Sequence, residues 1–169
     1  LNAWQHAYSS SGVFNYRVTV RDKDGGETTR LGTVTIVGVD LQGTTLYVGG
    51  TSSGDVITIA PNDASGALKV VVNSEPPVIV AAAPSRIVVL AQAGDDSVSL
   101  NSTTIKKVIY SIATPATLIG GDGNDTLSAA GSTAANVLSG NAGADRLTGG
   151  TGADLLVGGT GLDTLRGGD

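Results

Sequence analysis

The chain has 169 residues and a formal charge of −5, with 25 glycines, no cysteine and no methionine. Disulfides and thiolate metal sites are excluded, and an acidic chain without clustered Lys and Arg does not grip nucleic acid. No apolar run reaches the ~20 residues of a membrane helix; the best, Pro77 to Pro84, is far too short. Leu1 and a broken final phrase, Gly167 to Asp169, point to a fragment. The charge is uneven. Four acids and four bases balance up to Leu41, whereas from Gly120 onward six aspartates face only Arg146 and Arg166.

Residues 1–41 open with GVFNYRVTVR, Gly12 to Arg21, in which Phe14, Tyr16, Val18 and Val20 share one strand face. DKDGG, Asp22 to Gly26, predicts a tight turn, and GTVTIVGV, Gly32 to Val39, returns as a second strand. With His6 and Tyr8, this pattern resembles the C-terminal part of PKD-like extracellular β-sandwich modules. Asp22 and Asp24 also echo the start of an EF-hand loop. Thr33 stands where that loop needs its closing glutamate, so the turn reading is preferred.

Residues 42–119 form a chain of short β-rich runs without a helical period: TLYV, DVITIA, ALKVVVN, RIVVLA, DSVSL, KKVIYSI and ATLI. They read as wider β-solenoid coils or an irregular sheet layer. Glu75 to Pro77 is a loop that disfavours central pairing. GTSSGDVIT, Gly50 to Thr58, and AQAGDDSVS, Ala91 to Ser99, look like worn copies of the phrase that ends the chain. Asp55, Asp95 and Asp96 are read there as turn residues.

Residues 120–169 repeat every nine residues: GGDGNDTLS, then GSTAANVLS after Ala129 and Ala130, then GNAGADRLT, GGTGADLLV, GGTGLDTLR and a truncated GGD. In the second copy Asn136 replaces the aspartate. The phrase G-G-x-G-x-D-x-U-x resembles the RTX calcium-binding β-roll family over these residues. The resemblance implies an all-β parallel β-roll, following wider β-solenoid coils and a partial sandwich hairpin.

Each phrase has a glycine-rich turn and a short strand of about three residues, with one inward leucine: Leu127, Leu138, Leu147, Leu156 or Leu165. One nonapeptide makes half a coil, so residues 18 apart stack on one edge. Asp125, Asp145 and Asp163 then share one edge; Asn136, Asp154 and the truncated turn share the other. Strands ~4.8 Å apart bring these carboxylates close enough to repel. A hard divalent cation reverses that sign. Ca²⁺ accepts carbonyls and carboxylates in loose geometry, whereas Mg²⁺ demands stricter geometry. Zinc wants His or Cys, and His6 is the single histidine. By resemblance, the carbonyls of Gly120, Asp122, Gly140, Ala142, Gly149, Thr151, Gly158 and Thr160 join the sixth-position side chains as ligands.

The expected function is calcium binding that drives extracellular folding of a large secreted or cell-surface bacterial protein, adhesin-like or structural. No catalytic residue is expected in this chain. The expected partners are calcium ions and a cell-surface glycan or matrix, with no nucleic acid and no membrane span. The alternative is an accessory C-terminal region of a secreted enzyme, such as a polysaccharide epimerase or lyase, a protease or a lipase, with its chemistry upstream.

Overall fold

A computed structural model describes residues 12–36 and 38–168. His6 and Tyr8, which carry part of the N-terminal resemblance, lie outside the described residues, as do Val37 and Asp169. The described chain is all-β, with seventeen strands and no helix among the described residues. No helix there is long and apolar enough to cross a membrane.

Strands β1 (Gly12–Arg21) and β2 (Glu27–Ile36) pair antiparallel as a two-stranded sheet of their own. Their turn is closed by Asp22, whose Oδ1 accepts the N–H groups of Asp24 (2.9 Å) and Gly26 (2.7 Å). That carboxylate serves the turn, as its sequence implies. Gly38 does not continue β2. It sits at φ +143° and starts β3 (Gly38–Gln42), which pairs antiparallel with β4 (Thr45–Gly49).

From β4 onward the chain winds between two sheets. One contains β4, β8 (Arg86–Ala93), β12 (Ala116–Asp122), β14 (Val137–Ala142) and β16 (Leu155–Thr160), all parallel. The other contains β5 (Val56–Pro61), β9 (Ser97–Leu100), β13 (Thr126–Ser128), β15 (Arg146–Thr148) and β17 (Thr164–Arg166), also parallel. At the N-terminal end β3 borders the first sheet, while the second is extended by β6 (Leu68–Val72), antiparallel to β5, and by β7 (Val78–Val80), antiparallel to β6. A hairpin, β10 (Thr103–Ile105) and β11 (Val108–Tyr110), stands apart. The Glu75–Pro77 break precedes β7, an outer strand, where prolines are tolerated.

Successive coils are 41, 29, 20 and 18 residues long, measured between stacked aspartates. Most of the variation lies on one edge. There, residues 62–85, 101–115, 129–136 and 149–154 join the second sheet back to the first. The opposite edge repeats one six-residue turn: 50–55, 91–96, 120–125, 140–145 and 158–163.

The core tapers with the coils. The upper strands bury two or three apolar side chains each, such as Leu46 and Val48, Ile87, Val89 and Ala91, or Ile57 and Ile59. The tight repeats bury one leucine apiece. Leu127, Leu138 and Leu147 are fully buried, Leu156 is partly buried and Leu165 is 45% exposed. The expected leucine stack is present but loosens in its last coil, where β16 and β17 are the outer strands. Strand lengths also differ from the even three residues expected. β13, β15 and β17 have three, whereas β12 has seven and β14 and β16 have six. The longer strands resume pairing beyond the first glycine of the turn, as Gly121 with Asn141 and Asp122 with Ala142.

Candidate metal-binding edge

The constant edge is built by one repeated hydrogen bond. Each sixth-position aspartate uses Oδ1 to accept the N–H of its counterpart one coil earlier. Asp96 accepts from Asp55 (2.7 Å), Asp125 from Asp96 (2.9 Å), Asp145 from Asp125 (2.8 Å) and Asp163 from Asp145 (2.9 Å). The variable edge has a shorter column: Asn136 accepts from Ala116 (3.1 Å) and Asp154 from Asn136 (2.8 Å). Asp125, Asp145 and Asp163 thus share one edge and Asn136 and Asp154 the other. The worn turns also join the first column, which places Asp55 and Asp96 in line with the repeats.

The second carboxylate oxygen divides the turns into two kinds. Asp55 Oδ2 accepts the Thr51 N–H (2.6 Å) and its hydroxyl (3.0 Å), while Oδ1 accepts from Asn73 Nδ2 (2.6 Å). Asp154 Oδ2 accepts the Gly150 N–H (2.6 Å). Oδ2 of Asp96, Asp125 and Asp145 is buried without any partner. These three residues are only 2%, 1% and 2% exposed, so bulk water does not reach them.

The backbone at the second turn position marks the difference. It has positive φ in the turns of the orphaned oxygens: Gln92 at +87°, Gly121 at +132° and Asn141 at +78°. Neither Thr51 nor Gly150 has positive φ, and there the N–H reaches the carboxylate. The first position is glycine in the repeats and Ala91 in the turn of Asp96. A Cβ on Gly120, Gly140 or Gly158 would overlap Oδ2 of Asp125, Asp145 or Asp163 respectively.

Carbonyls line the same turns. Those of Asp122, Ala142 and Thr160 each accept one N–H from the coil before, from Gly94 (2.8 Å), Gly123 (2.8 Å) and Gly143 (2.9 Å). A carbonyl has two lone pairs, so each keeps one for another partner. On the variable edge Gly149 donates to Arg166 O (2.8 Å) and Thr151 to Ser132 O (3.1 Å). The Asp122 side chain is exposed, so its contribution to the edge is its carbonyl.

Burial pushes the Asp96 carboxyl up to about 6; the Asp55 N–H pulls it down, and the charges of Asp125, Asp55 and Asp95 push it further up. Burial also raises Asp125, against the Asp96 N–H and with the charges of Asp145 and Asp95. A stack of buried, mutually repelling carboxylates with unused oxygens fits a cation. Among the described residues no three His, Cys, Asp or Glu side chains converge on one point. What the edge offers is backbone carbonyls with one or two carboxylates, an all-oxygen set of the kind that suits Ca²⁺.

Asn136 behaves differently. Its Nδ2 lies 2.8 Å from Ala134 O and 2.9 Å from Asp154 Oδ1, so its amide is satisfied within the protein. The sequence marks Asn136 as a substitution, but not as one that closes its own turn. The place of Asp96 in the column is harder to read from the sequence. Its turn lacks the paired glycines, and the signal available was Gly94, Asp96 and Val98 at the fourth, sixth and eighth positions.

Residues 117–133 and 130–165 match the family model described as the RTX calcium-binding nonapeptide repeat, in 4 copies. No curated protein and no solved structure matches the chain. The nine-residue period, the stacked turns and this match agree: the chain carries RTX calcium-binding nonapeptide repeats over residues 117–165, and Ca²⁺ is their ligand.

Proposed function

We propose that calcium binding along the constant edge drives folding of the tight repeats outside the cell, in a secreted or cell-surface protein of adhesin-like or structural role. The observation that carries this reading is the row of buried, unpartnered Oδ2 atoms on Asp96, Asp125 and Asp145. Without a cation each is a charged acceptor removed from water with nothing in return, which opposes folding. Bound Ca²⁺ supplies the positive charge and the missing partner.

The tapering core makes the dependence local. The upper coils bury several apolar side chains per strand, whereas a nonapeptide buries one leucine against the ordering entropy of a glycine-rich turn. One site occupied at ~100 times its dissociation constant adds about 2.7 kcal/mol. Calcium is far more concentrated outside the cell than in the cytosol, so such a switch suits a chain that folds after export. A surface glycan or matrix component is the expected partner of the folded protein, and the chemistry of this chain is binding, not catalysis.

Circular dichroism of the 169-residue chain tests the folding claim. β-structure signal is expected to rise on titrating Ca²⁺ into chelator-treated protein, with a higher Tm. Identical spectra and melting curves in chelator and in millimolar calcium would refute it.

A further inference from the structure

We propose that the turn Ala91–Asp96, upstream of the matched repeats, is a further calcium site, the ion lying between it and the turn Gly120–Asp125. The proposal rests on reading the repeats themselves as calcium sites and extends their column by one coil.

Several observations point to this turn. Asp96 Oδ2 is buried without a partner, as in the repeat aspartates Asp125 and Asp145. The turn is docked to its neighbour by the bonds that dock the repeats to each other. Asp96 donates its N–H to Asp125 Oδ1 (2.9 Å) and Gly94 donates to Asp122 O (2.8 Å). Between the first and third repeats, Asp125 donates likewise to Asp145 Oδ1 and Gly123 to Ala142 O, each at 2.8 Å.

The backbone repeats as well. Gln92 holds φ +87° at the position where the repeats place Gly121 and Asn141, although a residue with a Cβ rarely adopts that conformation. It is the conformation shared by the turns that leave Oδ2 open. The candidate donors are Asp96 with the carbonyls of Ala91 and Ala93, an oxygen-only set for a hard divalent cation.

The coil above shows where the column ends. Asp55 occupies the same register, yet Thr51 and Asn73 satisfy both of its oxygens. Three turns with an unpartnered oxygen therefore each border a gap to the turn that follows. These gaps lie between turns 91–96 and 120–125, between 120–125 and 140–145, and between 140–145 and 158–163. The latter two lie within the matched residues and the first does not.

Crystals of the 169-residue chain soaked in terbium chloride, a calcium surrogate with strong anomalous scattering, decide the question. A peak in each of the three gaps is expected. Peaks in the two lower gaps, with turn 91–96 ordered and no peak beside Asp96, overturn the proposal. No peak in any gap would instead refute the calcium reading of the repeats. In solution, Asp96→Asn should lower by one the number of calcium ions bound at saturation, measured by equilibrium dialysis, while Asp55→Asn leaves it unchanged. An unchanged number in a folded Asp96→Asn chain also overturns the proposal; if that variant does not fold, the crystallographic result decides.

Discussion

Asp145→Asn should have opposite effects with and without calcium. Asp145 is 2% exposed; its Oδ1 accepts the Asp125 N–H at 2.8 Å and its Oδ2 has no partner. Asparagine keeps the first bond and replaces the orphaned oxygen with a donor. The chain already contains a guide to the outcome in Asn136, whose Nδ2 lies 2.8 Å from the carbonyl two residues earlier. An asparagine at 145 would have the Gly143 carbonyl at the same separation in sequence, on a backbone that differs by the positive φ of Gly143, +138°. Relieving an unpaired buried acceptor is worth roughly 1–3 kcal/mol. Removing a like charge one rung, ~4.8 Å, from Asp125 is worth about 1 kcal/mol in water and about 3 kcal/mol at an effective dielectric of ~20. These effects overlap and part is lost to imperfect geometry. A net gain of about 1–3 kcal/mol in the metal-free chain is a roughly 5- to 150-fold rise in folded over unfolded population. In calcium the sign reverses, because a carboxylate ligand is gone; losing one site removes about 2.7 kcal/mol when calcium is ~100 times its dissociation constant. Circular dichroism in chelator should show more β structure for the variant than for the parent chain, and urea melts in calcium should show less stability. A variant less stable than the parent in both conditions would refute the reasoning, since the orphaned oxygen would then not be a metal-free liability.

The remaining predictions concern protons, the core and the turns. The folded-state value of Asp96 is raised from 3.8 to about 6, so the metal-free folded chain binds more protons than the unfolded chain between those values. Stability in chelator should therefore fall as pH rises through that window, with the full penalty present above it; flat urea midpoints between pH 4 and pH 7 would count against a buried carboxylate. Leu147→Ala, at a fully buried rung, should cost about 2–5 kcal/mol in calcium. Leu165→Ala should cost much less, because that side chain is 45% exposed, and equal Tm losses would contradict the taper. Gly143→Ala places a Cβ into the Gly123 carbonyl oxygen at φ +138° and should abolish folding of the repeats. Gly167→Ala meets nothing within 4 Å and should change stability by less than about 0.5 kcal/mol.

The nine-residue period alone placed the repeat aspartates on their edges. Asp145 and Asp163 stack at 18 residues and Asp125 and Asp145 at 20, because Ala129 and Ala130 lengthen one coil. The inward leucines were equally legible, since each falls two residues after the sixth position. Both features follow from local geometry, in which a fixed turn and a short strand recur at a fixed spacing. The chemistry of the turns was less legible. Gln92 gives no sequence sign that it will take the conformation of a second glycine.

The sequence by itself determined a calcium-binding roll, its register and its acidic edges. Only the tertiary structure decided how far the column extends. Asp55 and Asp96 are 41 residues apart, and Asp96 and Asp125 are 29 apart, yet all stack with the repeats. Segment 62–85 folds back as β6, beside β5, and β7, and segment 101–115 carries the β10–β11 hairpin, while the parallel strands of successive coils keep their hydrogen-bonded register. Closing a longer loop costs only a slowly growing entropy, so coil length and rung register are nearly independent. A period read along the chain is lost when loops lengthen; the same period measured across the strands is not.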